Sequence, residues 1–452
     1  MPLPMHFQSP TGTRDFYPAD FNRRRFIVEA WRTTSVRHGF DEIDGPTFEA
    51  LDLYTAKSGP GIVSQLFAFK RAGGEKEFAL RPEFTPTLAR MYAEHAGSLP
   101  KPTKWFWTQN CFRAERPQRG RLREFWQWNC DVIGDPSPQA DAEVIACCVA
   151  LLEGLGLKPI DVRVKISNRA VVSRILTLAG VAEKRHVDAF DLLDLRGKVT
   201  EDQLIRQTAE LGLDLRAFDQ IGRDVATAFS GGRFSDLLSS ASAASLGALG
   251  GLSTTDLYQL ADLSRELEAS GLLPWCDLEL SIVRGLAYYT GMVFEVHEAS
   301  GNERAVAGGG RYDNLIATFG GPPTPAVGFG MGDAVLALVL SDRNLMPDDR
   351  ALAGSLGLRP DVFVISNGKP ESDAMVSPAL ALLRRAGLHA RRSYRATRNI
   401  GKLFKEASDA GARFAAVIES TNEATLKDLD AGTQETVPVG AIGTMVLRAR
   451  KG

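Results

Sequence analysis

Residues 105–133 read WFWTQNCFRAERPQRGRLREFWQWNCDVI and constrain the fold more than any other stretch of the chain. Two runs dense in aromatic and other apolar side chains flank a loop, residues 113–123, that holds five arginines in eleven residues with Pro117 and Gly120 near its middle. Aromatic and β-branched residues fit a pleated surface, and Pro and Gly punctuate strands, so the stretch predicts an antiparallel hairpin with an arginine-rich tip. On its second strand, even spacing places Phe125, Gln127, Asn129 and Asp131 on one face. Polar side chains in that register face a site rather than a dry core. Guanidinium forks match phosphate oxygens bidentately and always carry their charge. The tip therefore reads either as a polyphosphate site or as a solvated arginine turn, with Glu115 and Glu124 giving weak surface pairs.

A chain of 452 residues holds roughly two to four domains and can bury a sizeable core. Its net charge of -2 gives no global attraction to nucleic acid, so an RNA site has to be a local patch. The five cysteines, Cys111, Cys130, Cys147, Cys148 and Cys276, are odd in number and show no C-x-x-C spacing. That pattern argues against zinc and against a disulfide framework, and for a reducing compartment. The opening MPLPMHFQSPTGTRDFYP has no basic region followed by an apolar run, and no apolar run approaches the ~20 residues of a membrane span. The expectation is a cytoplasmic protein that does not enter a membrane.

In chain order, residues 20–38 place Phe26, Ile27, Ala30 and Trp31 at helical spacing, with Gly39 as a stop and a short strand over residues 40–44. In ALRPEFTPTLA, residues 79–89, Thr85 reads as a helix cap with Pro86 at the first helical position, just after Glu83. Residues 139–155 predict a helix and 161–167 a strand. Residues 168–270 are rich in Leu, Ala and charges at helical spacing, with Ser- and Gly-rich breaks near Ser230 and Gly250. Residues 277–297 alternate around RGLAYYTG, where Arg284 stands near Tyr288 and Tyr289; packing at the surface is the plain reading of that arginine. Gly308, Gly309, Gly310 and Arg311 read as a glycine-rich loop, where missing side chains allow close backbone approach. Residues 325–340 predict a glycine-spaced strand and an apolar helix, and residues 341–359 a polar, irregular linker. From residue 360, strand signals at 361–366, 388–392 and 414–419 alternate with helix signals at 374–386 and 399–410, an α/β pattern. Arg384, Arg385, Arg391, Arg392, Arg395 and Arg398 cluster there, either as a solvated basic face or, with Tyr394 and Phe404 nearby, as a surface for single-stranded RNA.

The spaced pattern Phe112-Arg113-x-Glu115-Arg116-Pro117-Gln118-x-Gly120-Arg121-x-Arg123-x-Phe125-x-Gln127 resembles motif 2 of class II aminoacyl-tRNA synthetases in its histidyl form. GTRDFYP at residues 12–18 resembles the opening of histidyl synthetases, and the long helix, strand and Pro46 resemble motif 1, which forms the dimer interface in that class. R-P-E-x-T at Glu83 and Thr85, R-G-L-x-Y-Y at Arg284, GGGRYD at Gly308, and residues 325–340 as motif 3 continue the resemblance. It spans nearly the whole chain and is weakest in the helical insertion.

The resemblance implies an α+β catalytic core, an antiparallel sheet flanked by helices, with a helical insertion and a C-terminal α/β anticodon-binding domain. The boundaries it implies are 1–167 for the first part of the core, 168–270 for the insertion, 271–342 for the second part, 343–359 for a linker and 360–452 for the anticodon domain. The implied activity is ligation of L-histidine to tRNA(His) through histidyl-adenylate, with ATP as substrate, Mg2+ on its outer phosphates, no protein metal ligand and a homodimeric assembly. Glu83 and Thr85 would take the substrate ammonium, Gln127 its amine or carboxylate, and Asp131, Tyr288, Tyr289 and Tyr312 would line the histidine pocket around the imidazole. Arg113, Glu115, Arg121, Phe125 and Arg284 would bind ATP, Phe125 by stacking on adenine. Arg113 and Arg284 would carry the catalytic charge stabilisation. Arg391, Arg392, Arg395 and Arg398 would meet tRNA.

Three positions depart from the pattern. Phe84 is larger than is usual there, Ala287 replaces the usual Asp, and Val335 stands where motif 3 carries a nucleotide-contacting Arg. No Arg occurs between Arg311 and Arg343. One lost charge-assisted phosphate contact costs ~1.5–3 kcal/mol. Val335 therefore favours a rival class, synthetase paralogues that sense histidine as regulatory subunits of ATP phosphoribosyltransferase; the intact arginine loop, paired tyrosines and basic C-terminal region oppose it. A third class, a tRNA-binding sensor, would bind RNA without activating an amino acid.

Overall fold

The two aromatic runs pair along their full length, and the rest of the larger sheet is built outward from that hairpin. The computed structural model describes residues 7–58, 60–196, 199–230, 252–282, 288–301, 303–395, 397 and 399–451. Two units form: Met1–Phe16 with Ile27–Met346, and Tyr17–Phe26 with Pro347–Gly452.

The strands of the larger unit are β1 (Asp41–Glu42), β2 (Phe48–Ala50), β3 (Ala68–Lys70), β4 (Glu77–Leu80), β5 (Thr103–Phe112), β6 (Glu124–Ile133), β7 (Val162–Asn168), β8 (Cys276–Leu278), β9 (Met292–Glu298), β10 (Ala307–Arg311) and β11 (Ala326–Gly332). Eight of them make one sheet in the order β1-β5-β6-β11-β10-β9-β7-β8, and β2-β4-β3 make a small second sheet. The large sheet is antiparallel except at its edges, where β1 runs parallel to β5 and β8 parallel to β7. β5 and β6 pair from Thr103 opposite Ile133 to Phe112 opposite Glu124.

Alternation on β6 sends Trp128 and Cys130 to the back of the sheet, opposite Gln127, Asn129 and Asp131. Helix Pro18–Arg37 buries Ile27, Trp31 and Ser35, one stripe at four-residue spacing. Trp31 stacks on Trp128 with ring centroids 6.1 Å apart, and Trp128 Nε1 donates to Ser35 Oγ at 2.8 Å. Helix Pro138–Gly154 packs here too, its Cys147 Sγ 3.8 Å from Cys130 Sγ. The back face is thus closed by helices, leaving the other to the site.

The sequence places helices over residues 168–270, and the described residues there form Arg169–Leu178, His186–Asp194, Glu201–Leu211, Leu215–Ser230 and Thr254–Ala269. Asn168 starts the first by accepting from the backbone N–H of Ala170 and Val171, and Thr200 with Gln203 forms a capping box on the third. The expected break near Gly250 lies in residues 231–251, outside the described residues.

Three local expectations are corrected. Gly308, Gly309, Gly310 and Arg311 belong to strand β10, not to a loop. The glycines serve close packing inside the sheet: a Cβ on Gly309 would stand 2.3 Å from the Gly328 carbonyl oxygen, and one on Gly310 2.7 Å from that of Met292. Thr85 is already inside helix Thr85–His95, whose cap position is held by Phe84 without a side-chain hydrogen bond. Phe84 is there for packing: it is fully buried and stacks on Trp107 at 4.3 Å with the rings 2° from parallel. The polar stretch read as an irregular linker contains helix Asp349–Ser355, nucleated by the Asp348 side chain accepting from the Ala351 N–H.

In the smaller unit, β12 (Val362–Ser366), β13 (Ala390–Arg392), β14 (Phe414–Ile418), β15 (Glu423–Asp428) and β16 (Gln434–Pro438) form a sheet in the order β13-β12-β14-β15-β16. The first three strands are mutually parallel and β15–β16 closes the edge as an antiparallel hairpin. β12 alternates faces, with Val362 and Val364 packing with Leu380 and Leu383 of helix Pro370–Arg385, and Phe363 and Ile365 with Leu403 and Ala407 of helix Ile400–Asp409. Helices on both faces explain why these strands read as continuous apolar runs.

Candidate active site

A cavity of about 540 Å³ opens on the uncovered face of the large sheet. Glu83, Thr85, Arg113, Arg121, Phe125, Gln127, Asp131, Tyr288, Tyr289, Tyr312 and Gly308 all line it, together with Asn129, so the face of β6 that carries Phe125, Gln127, Asn129 and Asp131 does face a site. Glu115, Gly309, Gly310 and Arg311 do not reach its wall. Arg284 lies outside the described residues, as does Arg398; Arg391, Arg392 and Arg395 belong to the smaller unit.

One end of the cavity is acidic and phenolic. Asp131 is 1% exposed, and its Oδ1 accepts from the Tyr312 hydroxyl at 2.6 Å. Its Oδ2 is buried with no hydrogen-bond partner. Burial pushes the Asp131 carboxyl up to about 7, against the pull of the Tyr312 hydrogen bond. Space for this carboxylate comes from the neighbouring strand. Gly328 pairs with Asp131, and a Cβ at Gly328 would lie 1.9 Å from Asp131 Oδ1. Gly330, two residues on, leaves room for Gln127, whose Nε2 would be 3.0 Å from an added Cβ. The alternating glycines of β11 are therefore the floor that lets the polar side chains of β6 stand in the cavity. Gln127 Nε2 donates to Asn129 Oδ1 at 2.7 Å, and the Tyr288 hydroxyl donates to Glu83 Oε2 at 3.3 Å. Tyr288 also touches Tyr289 and Tyr312, with ring centroids 4.7 and 6.0 Å away.

The other end is cationic. The hairpin tip turns at Gly120, with φ +71°, where Gln118 and Arg121 exchange two backbone hydrogen bonds of 2.9 Å. Arg113 Nε donates to the Pro82 carbonyl at 3.1 Å, and its guanidinium carbon lies 5.0 Å from the Phe125 ring centre. Arg121 is paired with Glu115 Oε1, while Glu115 Oε2 is buried without a hydrogen-bond partner. Glu115 thus stands behind Arg121 rather than in the wall. Val335 is buried, and its methyl would be 3.0 Å from a Cβ on Gly120, so the tip packs over the departing position of motif 3. Asp333, at the start of the same helix, accepts from Arg14 at 2.7 Å and from the Trp126 N–H at 2.9 Å.

Arg311 does something else. Its guanidinium is buried and bonds Asp141 Oδ1 from Nε at 3.0 Å and from Nη2 at 2.6 Å, and also the carbonyls of Asp135 and Ser137. It ties β10 to helix Pro138–Gly154 and is a structural ion pair.

The cavity also contains residues that the sequence motifs did not bring forward. Arg304 lines its cationic end, and Glu295, His297 and Asp194 line it too, with His297 Nε2 2.9 Å from Glu295 Oε2. For Glu295 and His297 the signal was alternation on β9. For Arg304 it was only adjacency to the β10 register, which no linear motif marks.

The cavity thus has a buried carboxylate and phenols at one end and guanidiniums at the other, and the chain as a whole is similar to known proteins. The family profile described as histidyl-tRNA synthetase matches residues 12–333. A histidine–tRNA ligase of Opitutus terrae is 38% identical over 447 residues, covering 97% of this chain and 98% of the relative. One from Halobacterium salinarum is 35% identical over 440 residues, 95% of either chain. The crystal structure of histidyl-tRNA synthetase from Nostoc sp. shares the fold, with a TM-score of 0.74 at 22% identity over 99% of this chain and 100% of that one. With the profile spanning both halves of the sheet and the relatives matching end to end, this chain belongs to the histidyl-tRNA synthetase family.

Proposed function

We propose that the protein is a histidine–tRNA ligase that activates L-histidine with ATP and transfers it to the 3' end of tRNA(His). The observation that carries this reading is Asp131: a buried carboxylate with one oxygen held by Tyr312 and the other unpartnered, at the far end of the same cavity as Arg113 and Arg121. A group that must be satisfied by a ligand N–H rejects ligands that lack one, because the buried oxygen is then left unpaired.

In the first step the histidine carboxylate attacks the α-phosphorus of ATP, the bond to the β-phosphate oxygen breaks, and pyrophosphate leaves with the electron pair. The carboxylate is already ionised at neutral pH, so no protein base is needed. Glu83, Thr85 and Gln127 hold the amino acid's ammonium and carboxylate, Asp131 with the tyrosines holds the imidazole, and Phe125 stacks on adenine. Arg113 and Arg121 bind phosphate, with Glu115 orienting Arg121. Arg113, with Arg284, stabilises the charge that builds on the α-phosphate, by positioning and by electrostatics. In the second step a terminal ribose hydroxyl of tRNA attacks the aminoacyl carbon, loses its proton, and AMP departs. Magnesium enters this reading on the outer phosphates of ATP; among the described residues no group of three or more His, Cys, Asp or Glu gathers to hold a metal.

The same reading makes residues 168–270 an insertion that meets the tRNA acceptor end, and residues 360–452 an anticodon-binding domain that uses Arg391, Arg392, Arg395 and Arg398. It makes residues 1–167 and 271–342 a core joined to that domain by residues 343–359. It carries a homodimer by way of the motif 1 stretch, and work in the cytoplasm, in keeping with five buried, reduced cysteines. Among the described residues no helix is long and apolar enough to cross a membrane.

The test is exchange of labelled pyrophosphate into ATP, dependent on histidine, with the other amino acids as controls. Exchange with histidine alone is the expected result. Histidine binding without exchange would instead support the regulatory reading that Val335 favours, and tight tRNA binding without exchange the sensor.

A further inference from the structure

The cationic end of the cavity holds a guanidinium that no motif of the sequence assigns. Arg304 lies in the connection between β9 and β10, and that connection is clamped onto the arginine loop at two adjacent residues. Glu303 accepts from Arg119 Nε at 2.6 Å, and Arg304 Nη1 donates to Gln118 Oε1 at 3.3 Å. The Glu303 side chain is only 4% exposed, while its partner Arg119 reaches it from the surface, 61% exposed. Arg304 itself lines the cavity beside Arg113 and Arg121.

The charges there do not balance. Arg121 has Glu115, while Arg304 bonds the neutral Gln118 and Arg113 the neutral Pro82 carbonyl. The guanidinium of Arg304, though exposed, is held below its ordinary range by partial desolvation in the cavity wall and by the neighbouring positive charges of Arg121 and Arg113, with Glu115 opposing. Three like charges gathered in one wall repel until an anion of high charge enters. The residue at 335, meanwhile, is an apolar side chain packed under Gly120, and Arg14 is committed to Asp333.

We infer that Arg304 is a third polyphosphate-binding residue, contacting the phosphate chain of ATP from the β9–β10 connection at the side of the cavity where Val335 offers no cation. This rests on the ligase reading for the identity of the nucleotide. It also gives Glu303 a purpose: by fixing Arg119, it sets the distance between Arg304 and the arginine loop.

The experiment is steady-state pyrophosphate exchange with Arg304→Ala and Arg304→Lys in the full-length protein, alongside equilibrium dialysis of ATP and of histidine. Loss of one charge-assisted contact lowers kcat/KM for ATP by about 10- to 100-fold in Arg304→Ala. KM for pyrophosphate rises in parallel, the histidine Kd stays within twofold, and Arg304→Lys recovers part of the loss. ATP and pyrophosphate parameters within twofold of wild type overturn the proposal. If the wild-type protein exchanges no pyrophosphate, the ligase reading fails separately, and dialysis still decides: weaker ATP binding by Arg304→Ala supports the site, while equal binding, or none by either protein, overturns it.

Discussion

Replacing Asp131 by Asn separates what the buried carboxyl costs the fold from what it does for the ligand. The carboxyl is pushed up to about 7 from an ordinary value of 3.8, chiefly by burial. A raised value in the folded state means that the native protein keeps a proton that the unfolded chain releases. The favourable contribution is therefore complete below about pH 4 and lost as pH rises through about 7. At ~1.4 kcal/mol per unit, a shift of about three units withdraws up to ~4 kcal/mol between those limits. Asn keeps the Oδ1 that accepts from Tyr312 but carries no charge, so Asp131→Asn should flatten the fall in stability between pH 5 and pH 8. At pH 8 the variant should be the more stable protein by one to a few kcal/mol, or ~2 kcal/mol at midrange. Histidine binding should move the other way. An amide NH2 in place of the unpartnered Oδ2 cannot accept the imidazole N–H, and losing a charge-assisted hydrogen bond raises the histidine KM by about 10- to 100-fold. Urea unfolding at the two pH values and histidine-dependent pyrophosphate exchange read the two effects. Parallel pH–stability profiles would refute the burial argument, and an unchanged histidine KM would remove Asp131 from recognition of the ring.

Other perturbations test the architecture around that carboxyl. Gly328→Ala puts a methyl 1.9 Å from Asp131 Oδ1, so it should displace the carboxylate, cost ~1–3 kcal/mol of stability and raise the histidine KM at least about tenfold; a variant with wild-type KM would show that the β11 glycine is not needed. Arg311→Ala leaves Asp141 as an uncompensated buried charge, a loss of ~3–5 kcal/mol seen as a lower unfolding midpoint, while KM for ATP in the folded fraction stays within twofold; a selective rise in that KM would return Arg311 to the site. Combined Arg391→Ala and Arg392→Ala should leave pyrophosphate exchange intact but raise the KM for tRNA by about five- to tenfold and flatten its salt dependence, and unchanged charging would refute the RNA assignment.

The hairpin and its polar face were legible because both are local. A strand of period two declares its faces from spacing alone, so Phe125, Gln127, Asn129 and Asp131 could be placed on one side without knowing the partner strand. The helices within residues 168–270 and those of the smaller unit declared themselves by apolar spacing in the same way. The glycine triplet was misread because a run of glycines looks the same whether it bends or packs. What distinguishes the two is the carbonyl of Gly328 beneath Gly309, which belongs to a strand nineteen positions away and is met only through the register of β10 with β11. Arg311 was drawn into the glycine-rich motif by sequence adjacency, and its partner Asp141 lies 170 residues distant. The helix Asp349–Ser355 was missed because its stabilisation starts from a single Asp cap rather than from an apolar stripe.

The sequence by itself determined the chemistry available: which strands carry polar side chains on one face, where guanidinium is concentrated, and which family the spacing belongs to. These follow from side-chain type and short-range periodicity, which are written residue by residue. Tertiary structure decided which of those groups meet. It put Oδ1 of Asp131 over Gly328, held it with Tyr312, and left Oδ2 without a partner. It removed Arg311 from the cavity and seated the hairpin tip on Val335. It also brought Arg304 to the arginine loop from 186 residues away, through its bond to Gln118. Contacts of that range depend on strand register and on steric room left by absent side chains, and neither is a property of any one stretch of chain.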